Sequence, residues 1–371
     1  MKRLRMGMIG GGPGAFIGPI HRIAAELDRQ IELVAGAFSS DADRSRAAGD
    51  SYGIDPTRAY GSVEAMLAAE SGRDDGIDFV VIATPNRHHF TAAKLALEAG
   101  MAVMSDKPAT ATLDEARQLA AIVDRAGTPY ALTYTYSGYP LVREARARIA
   151  AGALGAIRKV VVEYPQGWLA RDVGSKQAAW RTDPASAGVG GCIADIGVHA
   201  FHLTEFVTGL KVTRLLADLG SVVPGRMLDD DCQMFLRFEN GARGALLASQ
   251  IMLGERNGLR LRVYGDRGGL DWRHETPNGL IWHHADGRTE IVQAGDVALS
   301  PAALAATRTP GGHPEGYLEA FANLYCDFAT MLRGGDAPLL PGIADGLRGM
   351  ALIDIAVRSS RADSGWVDFS V

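Results

Sequence analysis

The densest chemistry in this sequence lies in Gly188-Val189-Gly190-Gly191-Cys192-Ile193-Ala194-Asp195-Ile196-Gly197-Val198-His199. A glycine-rich loop runs into a helical pattern that places Asp195 and His199 four residues apart. On an α-helix, positions i and i+4 share a face. A carboxylate there can orient an imidazole and strengthen its hold on a proton, which suits general acid–base work at a ligand. The glycine lead-in implies close approach of that ligand. A metal is the competing use, because His199, His202 and Asp195 have zinc- or iron-ligand chemistry. No metal is expected, since positions seven apart drift off a common helix face. Asp229-Asp230-Asp231 reads as a solvated strand entry, because no further oxygen ligands follow at calcium-loop spacing.

A second constellation stands near the start. Gly10-Gly11-Gly12-Pro13-Gly14-Ala15 fits G-x-G-x-x-G/A through Gly10, Gly12 and Ala15. Small residues there let the backbone turn sharply and approach a pyrophosphate, which the next helix greets with its N-terminal N–H groups. The ribose would lie beyond the second strand, where the chain reads Phe38-Ser39-Ser40-Asp41, with Arg44 close by. A carboxylate that late weakens the usual NAD signal, and Arg44 could meet a 2′-phosphate. NAD is expected, with NADP open. Thr84-Pro85-Asn86, with His89, and Asp106-Lys107-Pro108 follow two further strands and face the same crevice. Lys107, held just past a buried strand by a proline, is a candidate active-site cation.

The elements that must position these groups follow from periodicity. Leu4–Ile9, Ile31–Ala37, Ile77–Ala83, Ala102–Met104 and Pro129–Thr133 read as strands, and the third is a continuous β-branched run suited to a parallel sheet buried on both faces. Helical patterns cover 18–27 and 90–99. A third opens at Thr112-Leu113-Asp114-Glu115, a capping box, and closes at Gly127. This alternation predicts an α/β fold whose N-terminal Rossmann domain, residues 1–135, is a doubly wound parallel sheet. From residue 136 strands follow strands: 157–164, 212–222, 232–238, 243–250 and 259–264, with a hairpin turn at Asn240-Gly241. Residues 136–371 therefore read as an α+β domain with a large, mostly antiparallel sheet. A helix covers 141–151, a long loop 294–310, and helices 315–332 and 343–360 close the chain.

Composition removes other classes. Of 371 residues, 47% are hydrophobic and 22% charged, and the net charge is −5, so neither disorder nor a nucleic-acid partner is expected. The three cysteines are far apart, which fits a reducing cytoplasm rather than a disulfide framework. No apolar run is long enough to span a bilayer. The basic lead Lys2-Arg3-Leu4-Arg5 enters a strand rather than a signal-peptide core.

Taken in order, Gly10–Ala15, Ala83-Thr84-Pro85-Asn86, Asp106-Lys107-Pro108 and Asp195-Ile196-Gly197-Val198-His199 resemble the Gfo/Idh/MocA family of oxidoreductases across essentially the whole chain. That family usually has Glu where Asp106 stands. Tyr136-Ser137-Gly138-Tyr139-Pro140, Gln166-Gly167-Trp168-Leu169, Ala179-Trp180-Arg181-Thr182-Asp183-Pro184 and His313-Pro314-Glu315-Gly316-Tyr317 look most like its levoglucosan dehydrogenase branch.

The resemblance implies oxidation of a secondary hydroxyl on a cyclic sugar, anhydrosugar or inositol. Lys107 would touch the reacting hydroxyl beside the nicotinamide, His199 would remove its proton, and Asp195 would bind substrate and tune His199. Gly10, Gly12, Pro13, Gly14, Ala15, Phe16, Ser39, Ser40, Arg44, Thr84, Pro85, Asn86, His89, Asp106 and Lys107 would hold the cofactor. Tyr136, Gln166, Trp168, Trp180, Arg181, Glu255, Asn257 and His313 would join Asp195 and His199 around the substrate. It further implies an open second sheet, a dimer or tetramer through that sheet, and a C-terminal helix able to return to the first domain. Two other activities fit the same residues: an NAD-dependent glycoside hydrolase, and a non-catalytic NAD-binding sensor.

Overall fold

The computed structural model describes residues 2–371, with all side chains except those of residues 176 and 177. Two compact units divide the chain. One comprises residues up to Tyr134 together with Phe321–Met350, and the other Thr135–Ala320 together with Ala351–Val371.

The first unit is built on five parallel strands, β1 (Leu4–Gly10), β2 (Ile31–Ala37), β3 (Phe79–Ala83), β4 (Ala102–Ser105) and β5 (Tyr130–Leu132), in the order β2-β1-β3-β4-β5. An isolated parallel bridge between Gly36 and Ala59 is the rudiment of a sixth strand beside β2. With it the order is that of a doubly wound dinucleotide sheet, whose switch point lies between β1 and β3. All five residues of β3 are buried, as its unbroken apolar run requires. Helices α1 (Ile17–Glu26), α2 (Ala42–Ser51), α3 (Val63–Ser71), α4 (His89–Glu98) and α5 (Leu113–Ala126) connect the strands. The capping box on α5 forms: Glu115 N–H donates to Thr112 Oγ1 at 3.2 Å while Glu115 Oε2 accepts from Thr112 N–H at 3.2 Å. Gly127 ends that helix in the left-handed conformation, φ +61°.

In the second unit nine strands form one sheet. They are β6 (Ile157–Pro165), β7 (Val212–Gly220), β8 (Asp231–Phe238), β9 (Arg243–Ser249), β10 (Arg260–Gly265), β11 (Gly268–Arg273), β12 (Gly279–His284), β13 (Thr289–Gln293) and β14 (Val367–Asp368). Their order is β13-β12-β11-β10-β6-β9-β8-β7-β14, and every pairing is antiparallel except β6 with β9. The helices of this unit are α6 (Pro140–Ala150), the short α7 (Lys176–Arg181) and α8 (Pro184–Ala187), α9 (Val198–Thr208) and α10 (Pro301–Leu304). The last two helices, α11 (Tyr317–Leu332) and α12 (Ile343–Arg361), are divided between the units.

Three strands, β11 to β13, lie where the sequence reading assigned none. Each has only five or six residues, and glycine opens two of them. In β12 burial nonetheless alternates, with Leu280 and Trp282 buried and Ile281 and His283 more exposed, whereas Gly269–Trp272 of β11 are all buried. The stretch 294–310 is mostly loop, interrupted by α10, whose cap is Ser300. Trp366 is bracketed by the guanidinium groups of Arg214 and Arg237, at 5.9 and 4.3 Å from its ring. No helix among the described residues is long and apolar enough to cross a membrane.

Candidate active site

In the first unit, β1 ends at Gly10 and the glycine loop carries the chain into α1. Gly10 has φ +86°, and a Cβ there would stand 2.7 Å from the Ala83 carbonyl. A Cβ on Gly12 would stand 2.4 Å from the carbonyl oxygen of Phe38. The loop is thus pinned between the ends of β2 and β3, and only glycine fits. The template's third small residue is Ala15, but the close helix packing falls to Gly18, whose added Cβ would meet Gly11 Cα at 2.5 Å. The Tyr52 hydroxyl donates to the Gly11 carbonyl at 2.7 Å and braces the loop from α2. Over this loop lies a cleft of about 360 Å³, walled by Pro13, Gly14 and Ala15, by Arg22 and Ile23 of α1, and by Ser51 and Tyr52. Phe16 is 61% exposed at the mouth of α1.

Beyond β2, Ser39 is half-buried, while Ser40 and Arg44 are exposed. Asp41 caps α2, accepting from Arg44 N–H at 2.9 Å. After β3, Asn86 is buried and Thr84 is half-buried. Thr84 Oγ1 is a buried atom with no hydrogen-bond partner among the described residues. A pinned glycine turn, a helix N-terminus and an unmatched hydroxyl are what a bound dinucleotide would use. After β4, Asp106 Oδ1 accepts from Lys107 N–H at 2.9 Å and from the Thr133 hydroxyl at 2.8 Å. Lys107 is half-buried and joins Pro108 through a cis peptide bond.

In the second unit, the Asp195 segment is not α-helical. Ile193–Gly197 forms a π turn, in which Val198 N–H reaches back to the Ile193 carbonyl, and α9 begins only at Val198. The four-residue spacing of Asp195 and His199 therefore does not carry the α-helical geometry expected of it. π turns widen the helix by one residue and recur at functional sites. Asp195 Oδ2 is held by Arg181 Nε at 3.1 Å and Gln250 Nε2 at 2.8 Å.

The glycine lead-in also has a different cause from the one expected. A Cβ on Gly191 would stand 2.3 Å from the Asp229 carbonyl, so the close approach is by the chain itself. Asp229 accepts from Gly191 N–H at 2.6 Å and Ile193 N–H at 2.7 Å, anchoring the π turn. Burial pushes its carboxyl up to about 6 against those two donors. Asp230 is buried as well, accepting from Val222 and Val223 N–H and pairing with Arg226 at 3.2 Å. The triple aspartate is therefore an anchored corner, not a solvated strand entry. Among the described residues, no group of three or more His, Cys, Asp or Glu side chains is placed to hold a metal ion.

His199 is 9% exposed and meets the edge of Tyr136, ring centroids 4.9 Å apart. Tyr136 belongs to a closed ring of hydrogen bonds. Its hydroxyl bonds that of Tyr164, the Tyr164 hydroxyl donates to Asn257 Oδ1 at 2.7 Å, and Asn257 Nδ2 donates to Tyr136 Oη at 3.2 Å. Gln166 Nε2 donates to the same Asn257 oxygen at 2.7 Å, and Trp168 Nε1 donates to Gln166 Oε1 at 2.9 Å. His274 Nδ1 donates to the Asn257 carbonyl at 3.1 Å, and burial lowers its proton affinity. Burial, above all, raises both tyrosine hydroxyls. The Arg181 guanidinium lies 4.3 Å from the Trp180 ring and 5.9 Å from that of Trp168.

Of the expected substrate residues, Tyr136, Gln166, Trp168 and Asn257 fall in one network, and Arg181 with Trp180 serves Asp195. Glu255 and His313 are exposed, and His313 Nδ1 donates to the Pro310 carbonyl at 3.2 Å. Sequence reasoning missed Tyr164, Gln250, His274 and Asp229. Tyr164 and Gln250 stand at matching ends of the parallel pair β6 and β9, a placement visible only once those strands are paired.

Residues 4–134 match the oxidoreductase family, NAD-binding Rossmann fold, and residues 142–271 match the Gfo/Idh/MocA C-terminal domain. An uncharacterized oxidoreductase of Bacillus subtilis is 35% identical, over 99% of this chain and 97% of its own. An inositol dehydrogenase homolog from Azotobacter vinelandii is 36% identical, and 99% of this chain covers 98% of that one. Its NAD+ complex superposes with TM-score 0.95 and its complex with NADH and myo-inositol with 0.93. Levoglucosan dehydrogenase of Pseudarthrobacter phenanthrenivorans is 26% identical over 99% of this chain and 98% of its own. A levoglucosan dehydrogenase complex with NADH and levoglucosan, matched over the full length of both chains, is 25% identical with TM-score 0.87.

Proposed function

The chain belongs to the Gfo/Idh/MocA family of NAD-binding oxidoreductases, and from that premise we propose that it oxidises a secondary ring hydroxyl of a neutral cyclic polyol to a ketone. Cyclitols such as myo-inositol are the first candidates and anhydrosugars such as levoglucosan the second, following the higher identity to the inositol dehydrogenase homolog. Bound NAD+ supplies the hydride acceptor. Lys107, Asp195 and His199 serve the substrate hydroxyl. The His199 imidazole takes the hydroxyl proton, the Lys107 ammonium stabilises the developing charge on oxygen, and Asp195 orients the substrate. Trp168 and Trp180 offer apolar faces to ring C–H bonds, while Gln166 and Asn257 sort hydroxyl positions.

One observation carries this reading. The Asp195 carboxylate is fixed by Arg181 and Gln250 on a π turn that leads straight into His199, itself packed on the Tyr136 ring. Such an anchored acid–imidazole pair suits proton transfer at a bound hydroxyl.

The test is a panel of cyclitols, anhydrosugars and aldoses with NAD+ or NADP+, followed at 340 nm. Net NADH formation that vanishes in His199→Ala supports the reading. Glycoside cleavage with no net NADH would favour the hydrolase, and cofactor binding without turnover would favour the sensor. Assembly through the outward face of the nine-stranded sheet completes the proposal. There Phe235 of β8 is 56% exposed, and the Arg260–Asp271 and Arg262–Glu163 pairs lie farther across the same sheet, on β6, β10 and β11. A monomer by light scattering would reject that part. The cysteines, none of them in a disulfide, fit a reducing cytoplasm.

A further inference from the structure

His89, the first residue of α4, is 1% exposed. Its Nδ1 lies 2.7 Å from the carbonyl oxygen of Pro108, and its Nε2 lies 2.9 Å from the carbonyl oxygen of Thr84. A backbone carbonyl only accepts hydrogen bonds, and a neutral imidazole has one donor. Either neutral tautomer would aim a nitrogen lone pair at a carbonyl oxygen within hydrogen-bond distance, in the protein interior. A ring carrying a hydrogen on each nitrogen satisfies both contacts.

We infer that His89 is a doubly protonated clamp that ties the loop after β3 to the loop after β4 and thereby positions Thr84–Asn86 and Lys107 for the cofactor. The assignment of these loops to the cofactor rests on the proposed function. The protonation state rests on the geometry alone.

The surroundings fit a buried cation. Asp106, two residues before Pro108, is a nearby carboxylate whose field also reaches His21 and Tyr325. His21 is buried, and its Nδ1 shares a 2.7 Å hydrogen bond with the Tyr325 hydroxyl. Its pKa falls to about 4, chiefly through burial; Asp106 opposes the fall and His89 deepens it. His21 is thus neutral near pH 7. Buried charges persist where they are hydrogen-bonded and compensated.

The test uses full-length protein labelled with 15N-histidine at neutral pH. The expected spectrum contains one imidazole whose two nitrogens both carry slowly exchanging protons, and this signal disappears in His89→Gln. A bare ring nitrogen assigned to His89 would overturn the inference. NADH titration of His89→Gln and His89→Ala supplies the second readout. Loss of charge-assisted hydrogen bonds predicts NADH binding weakened about tenfold or more, with KM for NAD+ rising more than kcat falls. Unchanged NADH affinity in a folded variant would overturn the positioning role even if both nitrogens are protonated. If the wild-type protein binds no NADH, the proposed function fails, while the nitrogen spectrum still decides the charge.

Discussion

Replacing Gly12 by alanine tests the cofactor reading at its narrowest point. The new Cβ would stand 2.4 Å from the Phe38 carbonyl oxygen, against an ordinary contact of 3.4 Å or more. About 1 Å of backbone displacement is therefore required. Phe38 is poorly placed to give way: its side chain is buried against Tyr52, ring centroids 5.1 Å apart, and its N–H donates to Ser45 Oγ at 3.0 Å. The glycine loop must move instead. Overpacking of this size costs about 1–3 kcal/mol, a loss of roughly 2–10 °C in Tm for a unit of this length. The larger effect is on the cofactor. A loop shifted by about 1 Å forfeits at least one N–H bond to phosphate, worth about 1.5–3 kcal/mol, so the NADH dissociation constant should rise roughly ten- to hundredfold. Gly53→Ala is the control. Gly53 has φ +68° with nothing within 4 Å of an added Cβ. That variant pays about 1–2 kcal/mol of left-handed backbone strain and should melt earlier with unchanged NADH affinity. Both constants come from fluorescence titration at fixed ionic strength. A Gly12→Ala protein that binds NADH within twofold of wild type would refute the placement of the pyrophosphate at this loop.

Three further outcomes follow from the geometry. Thr84→Val removes a buried hydroxyl that has no hydrogen-bond partner among the described residues; Tm should hold or rise slightly, while NADH affinity falls about three- to tenfold if that hydroxyl serves the cofactor, and unchanged affinity would remove Thr84 from the site. Gln250→Leu strips one of the groups fixing Asp195; kcat should drop about tenfold with NADH affinity intact, and an unaltered kcat would mean that Asp195 is held in place without Gln250. His21, neutral and buried with its pKa lowered to about 4, makes the fold acid-sensitive. The unfolded chain binds that proton first, so the contribution is complete above about pH 6.5 and fades as pH falls toward 4, by roughly 3 kcal/mol in all. His21→Asn should flatten denaturant-measured stability across that range, whereas a slope unchanged from wild type would show that other groups set it.

The first unit was readable because its signals are local. A strand buried on both faces must be apolar throughout, as β3 is, and a capping box closes within four residues, as Thr112 and Glu115 do. The glycine loop was readable for the same reason, yet the glycine that packs the helix against it was not. The template asks for a small residue at Ala15, but what meets Gly11 depends on how α1 lies over β1, and that brings Gly18 to the contact. The strands β11 to β13 escaped because five or six residues, opened by glycine and salted with histidine, carry too few alternations to distinguish strand from loop. Their partners supply the missing information: Leu270 pairs with Val263 and with Trp282, and the apolar faces coincide only in the assembled sheet.

The catalytic segment shows the limit more sharply. A four-residue spacing predicts a shared helix face only if each residue advances the helix by the α-helical angle, and the π turn at Ile193–Gly197 breaks that assumption inside the motif itself. Nothing in the residues 193–197 announces a π turn; the segment is anchored from outside, by Asp229 accepting from the N–H groups of Gly191 and Ile193. The same tertiary contact explains Gly191, which makes room for the Asp229 backbone. It follows that Asp195 owes its position to Asp229, Arg181 and Gln250, residues 34, 14 and 55 positions away. The chemistry-bearing types were legible in the sequence. The geometry that fixes Asp195 beside the start of α9 resides in neighbours that only the folded sheet brings together.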